Sequence, residues 1–277
     1  MKIRILIMAP IVVVAMLAVS LGAATLDGIQ IHSSTTGKGP KTVILVHGWT
    51  CDETTWESQV PVLSRNYRVI TLDLPGHGKS GSPKDGKLSL ALFARAIEAV
   101  RSEANAEQVA LAGHSMGTPV ILHYAQLFPQ HVAALVFVDG PISPPTGSSG
   151  MMNFADQFAG DNGLKARESM IRSMFSSATT QEMQKHILSM MLSAPVETAV
   201  GAMKGVMGAT SWYEGVFTRP VLGIYADKSR SVNREYMKSN FPKMEYKEIP
   251  GTGHFLMLEK PEELNRLLLE FLDNQKY

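Results

Sequence analysis

Short apolar, β-branched runs recur along the chain at 42–48 (TVILVHG), 67–73 (YRVITLD), 108–113 (QVALAG), 133–139 (AALVFVD) and 220–226 (PVLGIYA). Runs this short and this continuously apolar predict strands buried on both faces. The more alternating MEYKEIP at 244–250 predicts an outer strand. Helix-length segments fall between or after them: LSLALFARAIEAVRSEA (88–104), PVILHYAQLF (119–128) and PEELNRLLLEFLDN (261–274). Strands alternating with helices predict a mostly parallel sheet covered on both faces. In such sheets ligands bind beyond the carboxyl ends of the strands, so chemistry is sought just after each strand.

The alternation stops between Pro141 and about Thr218. This segment opens with PISPPTGSSG and continues as helix-like stretches that hold nine of the chain's 16 methionines, from Met151 to Met207. It reads as a helical cap, 141–218, inserted into a core made of 25–140 and 219–277. Flexible thioethers suit an adaptable apolar pocket as well as a small core.

Composition narrows the function classes. The chain has 277 residues, 26 basic against 25 acidic groups, and 45% hydrophobic residues. That balance describes a globular protein and offers no basic surface for nucleic acid. Cys51 is the only cysteine, so no intramolecular disulfide forms, and its loop (GWTCDETTW) shows no adjacent base that would make the thiol a nucleophile. The first residues form a separate module. Lys2 and Arg4 precede an apolar stretch from Ile5 to Leu21, and Gly22-Ala23-Ala24 supplies small residues for cleavage. This layout predicts a signal peptide over 1–24 and export to the periplasm or medium, with no stable membrane anchor after cleavage. The alternative is an uncleaved N-terminal membrane anchor, since about 17–25 apolar residues can span a bilayer.

The strongest chemical signal is GHSMG at 113–117, with Ser115 between a predicted strand and a predicted helix. Glycines on either side leave room for a sharp strand–turn–helix junction that presents the serine at its tip, beside the helix amino end. Together with LVHGW (45–49), DLPGHGKS (73–80) and PGTGHFLMLEKPEELN (250–265), in that order, the chain resembles the α/β-hydrolase family from roughly Gly28 to Phe271. The resemblance implies an eight-stranded, mostly parallel sheet with a helical cap after strand 6. It also implies a nucleophile, acid and histidine in that chain order.

A serine hydroxyl needs a base, and His254, in the late loop GTGHF, is the candidate. His114 reads as a packing residue, His47 and His77 as loop-fixing residues, and His123 and His131 as helix-face or capping residues. Donors for a developing oxyanion are expected from the backbone N–H of Met116 and, by the resemblance, of Trp49. The acid is open between two aspartates. The family commonly places it after the strand PVLGIYA, but that pattern puts Ser229 where an aspartate should stand, with Asp227 two residues early. Some members draw it from the preceding strand, which here gives Asp139; Asp139 is preferred because its placement needs no loop adjustment. Asp73 looks architectural.

These residues lead to an expectation of a serine hydrolase that cleaves carboxylic esters of small, fairly apolar molecules through an acyl-enzyme, with no metal or organic cofactor. Perhydrolase, haloperoxidase or lactonase activity on the same residues is the nearest alternative. A non-enzymatic small-molecule binder is the alternative from another class.

Overall fold

The computed structural model describes residues 19–143, 154–209, 211–227, 229 and 231–276. Most of the expected signal peptide, and the first part of the expected cap at 144–153, lie outside the described residues.

Eight strands form one sheet: β1 (Val19–Leu26), β2 (Ile29–Thr36), β3 (Thr42–Val46), β4 (Arg68–Leu72), β5 (Val109–His114), β6 (Val132–Val138), β7 (Val221–Ala226) and β8 (Met244–Ile249). Their spatial order is β1-β2-β4-β3-β5-β6-β7-β8. The β1–β2 and β2–β4 pairs are antiparallel and every other pair is parallel. The physical logic follows the sequence pattern. β3, β5 and β7 are buried at every position, whereas β8 at the edge exposes half its residues. All six runs read as strands in the sequence are strands, within two residues at each end.

The hairpin β1–β2 is the part of the sheet that hydrophobic patterning missed. β2 reads IQIHSSTT, more polar than a central strand, and β1 begins inside the segment read as a leader. Its backbone pairs from Val19↔Thr36 to Leu26↔Ile29, so residues 19–24 belong to a strand.

Helices cover both faces of this sheet. In the core they are α1 (Val60–Leu63), α2 (Leu90–Glu103) and α3 (Gly117–Leu127). α2 starts two residues later than its apolar pattern because Ser89 caps it, accepting from the Leu92 N–H at 3.1 Å. α3 stops before Phe128, whose following residue is Pro129, and a residue before proline is pushed out of helical geometry. The insertion after β6 contributes α4 (Gly163–Ser173), α5 (Gln181–Ser193) and α6 (Val196–Met207). The chain then returns through β7, α7 (Arg234–Asn240), β8, α8 (Leu256–Glu259) and α9 (Pro261–Asp273). α9 buries Leu264, Leu267, Leu268, Phe271 and Leu272, the stripe its 3.6-residue periodicity predicts.

The cap is fastened to the loops at the carboxyl ends of β3 and β4. Trp49 Nε1 donates to the Ala199 carbonyl at 2.8 Å, and the Thr198 hydroxyl donates to the Gly76 carbonyl at 2.8 Å. Within the cap, the buried Arg167 guanidinium of α4 donates to the Met191 and Ala194 carbonyls at 2.8 and 2.9 Å. It thereby satisfies carbonyls that the end of α5 leaves free.

Three buried histidines, His47, His77 and His114, are held below their ordinary range by burial and make the fold acid-sensitive. Burial pushes His77 and His114 down to about 3, so both are neutral in the folded state. An unfolded histidine binds its proton near pH 6.5, so below that value the unfolded chain takes up protons that the folded chain refuses. Stability should be complete above about pH 7 and should fall between pH 6.5 and 5, where carboxylates scarcely titrate. The slope should approach about 1.4 kcal/mol per pH unit for each such histidine. Urea unfolding at pH 7, 6 and 5 measures it, and His77→Leu should give a shallower slope.

Candidate active site

The junction of β5 and α3 sets the position of Ser115. Its φ is +52°, in the left-handed region that costs an ordinary side chain roughly 1–3 kcal/mol. The surroundings force it there. The Ser115 N–H donates to the Val138 carbonyl of β6 at 3.0 Å, and its own carbonyl accepts from the Thr118 N–H at 3.0 Å. The flanking glycines are a steric requirement: a Cβ on Gly113 would lie 2.4 Å from the Gly117 carbonyl oxygen, and one on Gly117 would lie 2.5 Å from that of Val46. The bend therefore brings α3 against two strands at once.

His254 lies in the loop after β8, and its ring bridges two other elements. Nε2 is 2.8 Å from Ser115 Oγ, and Nδ1 is 2.7 Å from Asp139 Oδ2. An ionised carboxylate only accepts, so Nδ1 carries the hydrogen and Nε2 presents its lone pair to the serine hydroxyl. Asp139 follows β6 and, like Ser115, has a positive φ, +45°. Burial alone would push its carboxyl up. The hydrogen bond and charge of His254, the Ser229 side chain and the Ala226 N–H together outweigh that and hold it below the ordinary carboxylate range.

Asp227 is placed differently. It is exposed, and neither ring nitrogen of His254 bonds to it. The end of β7 and the loop after it contribute to Asp139 through other groups: the Ala226 N–H at 3.2 Å from Asp139 Oδ1, and Ser229, which stands where the common family pattern has its aspartate. The sequence reading treated Ser229 only as a missing acid. The signal available was that an unusual polar residue in a catalytic loop needs a partner.

His114 holds the back of the arrangement. The His254 carbonyl can only accept, so His114 Nε2–H donates to it at 2.8 Å, and the two rings stand 4.7 Å apart. His47 fixes its own loop as expected, with Nε2 accepting the Leu74 N–H at 3.0 Å and Nδ1 donating to the Gly48 carbonyl at 2.8 Å. Asp73 accepts from the Glu53 and Lys79 N–H groups at 2.7 and 2.8 Å, an architectural role.

Ser115 and His254 open into a cavity of about 70 Å³ roofed by the cap. Among the described residues six methionines line it, five of them from the cap (Met170, Met174, Met191, Met203, Met207) and one, Met116, beside the serine. Trp49 and Met116 both face it, and among the described residues neither of their backbone N–H groups donates to a protein acceptor. Cys51 also lines the cavity, but burial pushes its thiol up to about 12, so it remains protonated. A separate group, His32, Glu53 and Asp73, brings ligand-type atoms within 4.8 Å of one another. Those atoms are engaged: Glu53 Oε1 pairs with His32 Nε2 at 2.8 Å and with Lys79 Nζ at 3.2 Å, and an ammonium already supplies the positive charge.

The family model described as alpha/beta hydrolase fold matches residues 41–261. The chain belongs to the alpha/beta hydrolase fold family. It is 26% identical over 260 residues to the dihydrolipoyllysine-residue acetyltransferase component of the acetoin cleaving system of Cupriavidus necator, covering 90% of this chain and 68% of that protein. The chain thus spans about two thirds of that relative's length. Among solved structures, a thermophilic esterase from Thermogutta terrifontis superposes with a TM-score of 0.81 at 25% identity, over 92% of this chain and 98% of that one. A bromoperoxidase from Bacillus anthracis superposes at 0.79 and 23% identity, over 92% and 100%, a likeness of fold.

The glycine requirement of the bend is directly measurable. Gly117→Ala places a methyl against a backbone carbonyl that cannot rotate away, and should cost about 1–3 kcal/mol in urea unfolding.

Proposed function

We propose that this α/β-hydrolase cleaves carboxylic esters of small, uncharged, apolar molecules through an acyl-enzyme on Ser115. The observation that carries the reading is the continuous hydrogen-bonded relay Asp139–His254–Ser115, at 2.7 and 2.8 Å, opening onto an apolar cavity. As Ser115 Oγ attacks the ester carbon, its proton passes to His254 Nε2, and the buried carboxylate of Asp139 balances the imidazolium that forms. The carbonyl oxygen becomes an oxyanion, for which the free N–H groups of Trp49 and Met116 are the donors. His254 then returns the proton to the departing alkoxide, and the ester bond breaks. Water repeats the sequence: it loses a proton to His254, attacks the acyl carbon and releases the acid and the serine.

The wall chemistry narrows the substrate. Among the described residues no lysine, arginine, aspartate or glutamate lines the cavity, so a charged acyl group would be buried there without a partner among them, at a cost of several kcal/mol. The thioethers weigh against a peracid-forming reading, because peracid released among them would oxidise them to sulfoxides.

With p-nitrophenyl esters from acetate to palmitate, turnover should peak at short or medium chains and vanish in Ser115→Ala. Asp139→Asn should lower kcat roughly 10³–10⁴-fold, while Asp227→Asn should leave it within about twofold. p-Nitrophenyl butyrate should exceed the hemisuccinate in kcat/KM by roughly 100-fold or more. Persistent turnover in Ser115→Ala would reject the reading.

Export belongs to the same proposal and has its own test. Cleavage after Ala24 would leave only Thr25 and Leu26 of β1 paired with Gln30 and Ile29. The intact mass of protein recovered outside the cytoplasm should place the new amino terminus at or before Thr25. Recovery only with the membrane fraction, at full-length mass, would favour the uncleaved anchor.

A further inference from the structure

We propose that Glu259 is a positioning residue that locks the His254 loop and the cap wall of the cavity into one unit. The proposal rests on the serine-hydrolase reading of His254. Glu259 ends α8, five residues after His254, and its two carboxylate oxygens face two different parts of the molecule. Oε2 accepts from the Gly253 N–H at 2.5 Å, immediately before the histidine. Oε1 accepts from the Ser176 hydroxyl at 3.0 Å and from the Thr179 hydroxyl. Ser176 and Thr179 form the turn between α4 and α5, so they belong to the cap.

Both hydroxyls have their directions fixed. Ser176 Oγ accepts from the Ala178 N–H at 3.0 Å, and Thr179 Oγ1 accepts from the Ser176 N–H at 2.8 Å. Each therefore has its single proton left for Glu259. The surfaces meet closely: a Cβ on Gly253 would lie 2.8 Å from Ser176 Cβ and 3.0 Å from the Met174 carbonyl oxygen. The His254 N–H also points at that carbonyl, at 3.4 Å. Met174 in turn lines the cavity. One carboxylate thus sets the backbone of the base and, through the 176–179 turn, the wall against which the acyl chain lies.

The two halves of the clasp can be cut separately. Glu259→Gln replaces one acceptor oxygen with an NH2 donor, so the Gly253 N–H and the two hydroxyls can no longer all be satisfied. The expected result is a 10- to 100-fold loss of kcat on p-nitrophenyl acetate. The downfield proton resonance of His254 Nδ1–H should broaden or disappear, and Glu259→Asp, one methylene short of the span, should not restore either. Ser176→Ala/Thr179→Val leaves the Gly253 side intact. It should keep kcat on acetate within about threefold and keep the His254 resonance, but raise KM for hexanoate several-fold. Melting temperatures identify a merely structural role: if both variants lose stability and the surviving folded enzyme has wild-type kcat, KM and resonance, the proposal is overturned. It is also overturned if Glu259→Gln leaves the resonance and kcat unchanged. If instead Ser115→Ala retains turnover, the hydrolase reading fails, and the resonance still decides whether Glu259 orders His254.

Discussion

The close approach of α3 to β3 and β5 is the constraint on which the rest of the site depends. A serine with φ of +52° is unfavourable by itself, and Ser115 adopts it because Gly113 and Gly117 let three backbones converge where side chains would collide. The Val138 carbonyl of the neighbouring strand holds the Ser115 N–H, which ties Ser115 to β6 rather than to its own strand alone. Asp139 is the first residue after β6. The bond that fixes the serine backbone therefore also fixes the spacing between serine and acid, before any histidine is considered.

Parallel pairing carries that spacing outward. β5, β6, β7 and β8 run side by side with His114 opposite Val138 and Ala226 opposite Ile249. Ser115, Asp139, Ser229 and His254 accordingly leave the same edge of the sheet in succession. Each is in a loop, but each loop starts from a strand held in register by parallel pairing to its neighbour, and this is why residues up to 139 positions apart meet within hydrogen-bond distance. The loops supply the chemistry, and the sheet supplies the precision.

This division explains what could be read from the sequence. Ser115, His254 and the six central and outer strands leave local signatures: short apolar runs, a glycine-bracketed serine, a glycine-rich late loop. Asp139 could be named but not separated from Asp227, because both follow a strand, and the choice depends on which loop folds toward His254. Ser229 and Glu259 stand in recognisable stretches, but nothing local names what they bond. Their partners, Asp139 and the 176–179 turn, lie some 80 to 90 residues away, and a hydroxyl or carboxylate in a loop reads the same whether it faces solvent or a catalytic residue. The hairpin β1–β2 was hidden for a different reason, since small and apolar residues satisfy a leader, a cleavage site and an edge strand equally well.

The charge distribution completes the physical picture. The described cavity wall carries no lysine, arginine or carboxylate, Cys51 stays protonated, and His114 stays neutral because burial penalises its cation. The Asp139 carboxylate stands behind the imidazole, on the side away from the serine. In a site this apolar, a fixed negative charge in that place would favour the imidazolium that the proposed attack of Ser115 generates. Set on the substrate side, it would oppose the developing oxyanion. The Ser229 hydroxyl and Ala226 N–H, both aimed at Asp139, keep the carboxylate ionised and oriented against the pull of burial. The apolar cap and the buried acid are thus parts of one electrostatic arrangement: excluding water strengthens the relay, and the relay tolerates the exclusion only because every charge within it has a partner.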